Sequence, residues 1–202
     1  MEWAKPAGVI LAAGLATRMG GEKASLPFLA GTLLDTVVAR VKDQVGPLAL
    51  NVRAEDAPGW HARYSAYPLL FDSLAANTGP LAGVIAGLAW LKTLPDAHWL
   101  ATFPCDTPFL PLDLVAQLTT HARGRPLIAR DRVRMHGVCG LWPLSCGDLL
   151  RERVELGKLR SVQSALDALG GDTYLVEADE HAFFNVNTKE DLAEAERLAR
   201  SA

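Results

Sequence analysis

Residues Gly8 to Phe28 read GVILAAGLATRMGGEKASLPF, an apolar run that breaks into glycines and is followed by an arginine and a lysine. A strand that ends in glycines ahead of a helix turns its backbone N–H groups toward an anion. Gly14, Gly20 and Gly21 permit positive φ and close backbone approach. Arg18 can fork onto phosphate oxygens, and Lys23 can neutralise a departing phosphate as a point charge. The stretch therefore reads as a phosphate-holding loop, with a surface turn carrying incidental charges as the plainer alternative. Neither common phosphate pattern fits. A P-loop needs G-x-x-x-x-G-K-[ST], whereas Lys23 follows Glu22 and precedes Ala24, which offers no hydroxyl to magnesium. A dinucleotide loop needs G-x-G-x-x-G, whereas the first glycine after Gly14 is Gly20.

Further polar residues stand at the ends of apolar runs. Asp106 follows His98 to Phe103 (HWLATF), at the carboxyl end of a strand, where open α/β sheets bind ligands. It could hold magnesium beside a triphosphate or simply turn the chain in an Asp-Thr-Pro corner. Asp72 follows Pro68 to Phe71, as a nucleoside contact, a residue supporting a magnesium site from behind its ligands, or a strand-end cap. Asn51 lies inside the apolar Leu48 to Val52 and offers both a donor and an acceptor. Asn185 and Asn187 share one face of an extended segment, where they could meet one polar ligand; alternatively Asn187 and Thr188 cap the last helix. His61, His98, His121, His136 and His181 are scattered without metal spacing and read as core or surface residues. Arg123, Arg125, Arg130, Arg132 and Arg134 read as a solvated segment, the alternative being a landing place for an anionic cofactor or an acidic partner.

The elements that must position these residues alternate along the chain. Strands are expected at Gly8 to Ala12, Leu48 to Val52, Pro68 to Phe71, His98 to Phe103, Val138 to Trp142 and Thr173 to Val176. Helices are expected at Leu33 to Gln44, Pro80 to Lys92, Leu112 to Ala122, around Leu149 to Leu156, and at Val162 to Leu169. Pro80 suits a first helical turn, where its missing N–H costs nothing. Thr188 to Asp191 resembles a capping box with aspartate in place of glutamate, opening a last helix through Arg200. Arg123 to Gly137 reads as a polar loop or hairpin. Continuous apolar strands interleaved with helices imply an α/β fold, a mainly parallel sheet with helices on both faces.

Bulk properties narrow the function. The 202 residues suit one domain with a sizeable core, and half of them are hydrophobic. The net charge of −3 leaves no broad basic surface for a nucleic-acid backbone. Cys105, Cys139 and Cys146 lack C-x-x-C spacing, which argues against a disulfide framework or structural zinc and favours the reducing cytoplasm. No apolar segment is long enough to span a bilayer, and Gly8, Gly14 and Arg18 interrupt the only run resembling a signal peptide.

The pattern Leu11-Ala-Ala-Gly-x-x-x-Arg-Met-Gly-x-x-Lys23, with Leu26 and Gly31 to Leu34 after it, resembles the signature loop of sugar-phosphate and cofactor nucleotidyltransferases. Asp72-Ser-Leu, Gly79-Pro-Leu-Ala-Gly83, Pro104 to Pro111, Gly140-Leu-Trp-Pro143 and Phe184 to Leu192 narrow the resemblance to the molybdenum cofactor guanylyltransferases, in family order and nearly end to end. That resemblance implies a Rossmann-like nucleotidyltransferase fold and transfer of GMP from GTP to molybdopterin carrying molybdenum, with release of pyrophosphate. It implies one domain over residues 1–202, with a nucleotide-binding half at about 1–110 and an acceptor-binding half at about 111–202. Carried over by position, Leu11, Ala12, Ala13, Gly14 and Lys23 contact the nucleotide, Asn51 and Asp72 bind guanosine, and Asp106 binds Mg2+. Arg18, Lys23 and Asp106 are the expected catalytic residues, and Asn185 and Asn187 the acceptor-side residues. Molybdoenzymes or other cofactor-biosynthesis proteins are the implied transient partners. Two departures keep the base open. Ala13 replaces a glycine usual in guanylyltransferases, giving the LAAG form common in cytidylyl-transferring relatives, and Glu22 replaces an aspartate before the lysine. CTP as donor, or a sugar phosphate as acceptor, is the alternative.

Overall fold

The computed structural model describes residues 5–14, 23–72 and 79–201, the side chain of Lys23 excepted. Its strands are β1 (Ala7–Leu11), β2 (Pro27–Phe28), β3 (Gly31–Thr32), β4 (Leu48–Val52), β5 (Leu69–Phe71), β6 (Trp99–Pro104), β7 (Leu127–Arg130), β8 (Met135–Pro143) and β9 (Asp172–Leu175). Its helices are α1 (Leu33–Val41), α2 (Ala57–Arg63), α3 (Pro80–Leu91), α4 (Leu114–His121), α5 (Gly147–Glu155), α6 (Val162–Leu169) and α7 (Lys189–Ser201). Seven strands form one sheet in the order β5-β4-β1-β6-β8-β7-β9, and β2 and β3 make a separate small hairpin. β1 runs parallel to both β4 and β6, and β5 runs parallel to β4. β8 alone is antiparallel, to β6 on one side and β7 on the other, so β7 and its parallel neighbour β9 run in the direction of β6.

Two apolar clusters cover the two faces of this sheet. Ile10, Leu50 and Phe103 meet Val37 and Val41 of α1, Trp60 of α2 and Leu114 and Leu118 of α4. Ala7, Val9 and Leu100 meet α3, α5 and α6 on the other face. α3 is buried from Leu81 to Leu88, which explains why its sequence is apolar all round rather than on one stripe. The expected doubly covered, mainly parallel sheet is therefore present.

Local chemistry accounts for the element ends. Thr32 caps α1 in a capping box with Asp35, and Ser161 caps α6, whose end at Gly170 takes a left-handed conformation. The aspartate box before α7 is also real: Asp191 Oδ2 accepts the N–H groups of Asn187 and Thr188 at 2.8 and 2.9 Å, and Thr188 Oγ1 accepts that of Asp191. α1 stops at Val41 rather than Gln44, because the Gln44 side chain turns to bond Arg40 O, Pro111 O and Val115 N. α2 was not anticipated, since Pro58 and Gly59 suggest a turn; its Trp60 ring packs on Tyr64, 5.4 Å away. The arginine-rich segment takes the hairpin form, β7 turning into β8.

Candidate active site

The strand order places a crevice at one edge. From β1 the chain winds outward to β4 and β5, then α3 carries it back across to β6 on the other side of β1. Such a reversal opens a crevice beyond the carboxyl ends of the two flanking strands. The register fixes what flanks it: Leu11 pairs with Asn51 on one side and with Pro104 on the other. Ala12, whose N–H donates to Asn51 O at 2.8 Å, thus leaves the sheet beside Cys105 and Asp106. Of the nucleotide loop, Ala12 is buried, Ala13 half-buried and Gly14 exposed at that edge. The backbone resumes in a turn at Lys23–Ser25; Arg18 and the Lys23 side chain lie outside the described residues.

On the β4 side, Asn51 is 2 % exposed and turns toward the α3 face of the sheet. Its Nδ2 donates to Asp72 Oδ1 at 2.8 Å and to Leu70 O at 3.3 Å, tying the ends of β4 and β5 together. Gly83 of α3 packs against the other side of this carboxamide, where an added Cβ would come within 2.5 Å of Asn51 Oδ1. Asn51 is thus held on two sides, and it presents the exposed Asp72 carboxylate at the edge. Gly83 ended a resemblance block but had no role read from sequence; a glycine inside an apolar helix was the available signal. Gly79 opens α3 at φ 56°, ψ −147°, a conformation that only glycine adopts easily, and so turns the helix start into line.

On the β6 side, Asp106 is half-buried, with Thr107 Oγ1 3.5 Å from its Oδ1. Its carbonyl accepts the N–H of Val186 at 2.9 Å. That bond brings the distant Phe184 to Asn187 segment beside Asp106, so Asn185 and Asn187 flank in sequence the residue bonded to the metal-binding candidate. Asn185 Oδ1 is buried and has no hydrogen-bond partner among the described residues. A buried acceptor left unmade costs about 1–3 kcal/mol, which is recovered if a ligand donates to it. Phe109 and Phe184, 6.4 Å apart, wall this side.

Residues set aside in the sequence divide in space. Arg123 and Arg125 precede β7, whereas Arg130 ends it and Arg132 and Arg134 follow it, so the arginine cluster is split between opposite edges of the sheet, the second group on the crevice edge. In the turn after β7, Asp131 Oδ1 accepts the N–H groups of Val133 and Arg134 at 2.6 and 2.7 Å, and Oδ2 accepts Nε2–H of His136 at 2.8 Å. Desolvation raises the Asp131 carboxyl pKa, but these donors outweigh it and hold it at about 2. Burial pushes the His136 imidazole below its ordinary value against the pull of Asp131, and its ring stacks on Phe183. Burial pushes the Cys146 thiol up to about 12 and raises Cys139 further, with the Asp106 charge adding to the latter, so both are held protonated. Among the described residues, no three His, Cys, Asp or Glu side chains converge on a metal position, and no helix is long and apolar enough to cross a membrane. A cavity of about 500 Å³ between α1 and α4 lies by the amino end of β1, away from the crevice.

Known proteins resemble this chain in sequence and in fold. The MobA-like NTP transferase domain matches residues 8–169. A molybdenum cofactor guanylyltransferase from Cereibacter sphaeroides (strain ATCC 17029 / ATH 2.4.9) is 42 % identical, covering 96 % of each chain. Another from Mesorhizobium japonicum is 36 % identical, also over 96 % of each. The crystal structure of molybdopterin-guanine dinucleotide biosynthesis protein A from Archaeoglobus fulgidus superposes with a TM-score of 0.80 at 23 % identity, over 97 % of this chain and all of the other. The 4-diphosphocytidyl-2C-methyl-D-erythritolsynthase of Anaerococcus prevotii follows the same fold with a TM-score of 0.76 at 11 % identity, over 98 % and 96 % of the two chains. Fold likeness alone therefore does not choose the base, whereas the two relatives matched nearly end to end in sequence are guanylyltransferases. The chain belongs to the MobA-like NTP transferase family, among the molybdenum cofactor guanylyltransferases.

Proposed function

We propose that this nucleotidyltransferase transfers GMP from GTP to the phosphate of molybdopterin carrying molybdenum, forming the guanine dinucleotide cofactor. A phosphate oxygen of the acceptor attacks the α-phosphorus, the bond from that phosphorus to the bridging oxygen breaks, and pyrophosphate leaves with the electron pair. No side-chain nucleophile is needed, which agrees with the buried, protonated thiols. The enzyme's task is to align two anions that repel and to stabilise charge on the leaving group. The observation that carries the reading is the register of Leu11 with both Asn51 and Pro104, which gathers the glycine turn, Asn51–Asp72 and Asp106 at one crevice.

Within it, the backbone of Leu11 to Gly14 faces the phosphates, and Arg18 and Lys23 supply cations to them. Asn51 and Asp72 recognise guanosine, the carboxamide being fixed by Gly83. Asn185 and Asn187 take the pterin side, where the unpartnered Asn185 Oδ1 accepts an N–H or O–H of the acceptor. Asp106 suits Mg2+: it is an oxygen donor, and magnesium is commonly held by one or two carboxylates together with substrate phosphates rather than by an all-protein cage. Held by Asp106, the ion would offset negative charge on the reacting phosphates. Cytidylyl transfer is the second reading, favoured by Ala13 in the LAAG turn. Three buried free cysteines fit a reducing compartment, and we place the enzyme in the cytoplasm, handing its product to molybdoenzymes.

Incubating the protein with Mg2+, molybdopterin and either GTP or CTP, then weighing the product, tests the assignment. The guanine dinucleotide is expected; formation of only the cytosine dinucleotide rejects the base. Asp106→Ala should abolish pyrophosphate release, and retained release would reject the metal position.

A further inference from the structure

The acceptor side of the crevice rests on a short segment that has little regular structure of its own. Phe183 to Thr188 follows a turn in which Ala182 N–H donates to Asp179 O and Phe184 N–H to His181 O, and it precedes α7. Three points pin it. Val186 N–H bonds Asp106 O at 2.9 Å, the amides of Asn187 and Thr188 bond Asp191, and the Phe183 ring lies under His136. The third contact is a parallel stack, with ring centroids 4.1 Å apart and planes within 11°. The imidazole is itself fixed, because Nε2–H bonds Asp131 Oδ2 at 2.8 Å while Oδ1 of the same carboxylate closes the β7–β8 turn onto Val133 and Arg134. The His136 side chain is only 9 % exposed, so it has little room to swing away. Asn185, with its unpartnered Oδ1, sits in sequence between the stacked Phe183 and the pinned Val186.

We propose that His136 is a positioning residue for the acceptor: a strut from the β7–β8 turn to Phe183 that sets the Asn185 segment against Asp106. This rests on the reading of Asn185 as an acceptor-side residue. His136 touches no reacting atom. It transmits the rigidity of a sheet hairpin to a loop whose own backbone cannot supply it, through a hydrogen bond at one end and a ring face at the other. Removal should therefore affect the acceptor and spare the nucleotide, which meets Asn51 and Asp72 on the far side of β1.

The test compares His136→Ala, His136→Phe and His136→Gln in full-length protein. In His136→Ala the KM for molybdopterin should rise about tenfold, within the hundredfold that a misplacement of about 1 Å can cost, while the KM for GTP stays at the wild-type value. Amide exchange at Val186, read by mass spectrometry without any substrate, should quicken about tenfold as the segment opens locally. Phenylalanine keeps the flat ring against Phe183 but loses the bond to Asp131, and should fall between wild type and alanine in both readouts. Glutamine keeps the donor to Asp131 without the ring and should behave like alanine. These two milder variants decide the matter if alanine prevents folding. Unchanged Val186 exchange in the alanine or glutamine variant overturns the strut, as does a GTP KM that rises in step with the acceptor KM. A wild-type protein that makes no dinucleotide counts against the proposed activity alone, because the exchange readout still judges the strut.

Discussion

A methyl group at position 83 would lie 2.5 Å from Asn51 Oδ1 and 2.8 Å from Leu11 Cδ2. The Leu11 methyl can swing aside, but the carboxamide cannot yield easily, because Asn51 is tied to Asp72 and Leu70. Gly83→Ala should then cost about 1–3 kcal/mol as overpacking, of which helix propensity returns up to about 1 kcal/mol. A chain of this length loses about 2–4 °C in Tm per kcal/mol. The functional effect should exceed the thermal one, since a displaced carboxamide no longer holds Asp72: we expect a higher KM for GTP with the acceptor KM unchanged. An alanine variant with wild-type GTP binding would show that the Asn51–Asp72 bond does not shape the nucleotide site. This contact illustrates why residues were legible in the sequence while their couplings were not. Asn51, Asp72 and Asp106 stand out because polar residues end or interrupt apolar strands. That Gly83 serves Asn51, and that His136 serves Phe183, depends on register and side-chain direction across elements far apart in the chain.

Among elements, the β7–β8 turn has the clearest dependence on pH. Asp131 holds a folded pKa of about 2 against an ordinary 3.8. Because the folded value is the lower one, the charged carboxylate contributes stability that is full above the ordinary carboxylate range and lost as pH falls through about 2. Asp131→Asn keeps an oxygen for the Val133 and Arg134 N–H groups and removes the charge together with the acceptor of the His136 Nε2–H. Wild type should therefore be more stable than this variant at pH 5, with the gap shrinking as the pH is lowered toward 3, measured by urea midpoints. A gap that stays constant over that interval would mean that the charge itself does not support the turn. Elements were most readable where capping chemistry brackets a periodic run, as at α6 between Ser161 and Gly170. They were least readable where tertiary packing overrides local signals. α2 forms despite Pro58 and Gly59 because Trp60 has a core to enter, and β7 is a strand between arginines because β8 and β9 flank it.

At the scale of the molecule, the crevice makes nucleotide binding and folding stability one equilibrium. Its walls come from β1, β4, β5 and β6 together with the Phe184 to Asn187 segment, so a ligand seated there bridges elements that separate on unfolding. Any ligand bound by the native state alone raises stability by RT ln(1 + [L]/Kd), about 2.7 kcal/mol at a hundredfold excess over Kd. At about 2–4 °C per kcal/mol for a chain of this size, saturating GTP with Mg2+ should raise the Tm by roughly 5–11 °C. CTP and ATP at equal concentration should raise it far less if Asn51 and Asp72 read the guanine. A shift that is equal for all three nucleotides would place the recognition on the triphosphate alone and leave the base unread by Asn51 and Asp72. The same comparison in Asp106→Ala separates the metal from the base. Losing the ion should lower the shift for every nucleotide in proportion while leaving their order intact, because the Asp106 carboxylate beyond the end of β6 and the Asn51–Asp72 pair stand on opposite sides of β1.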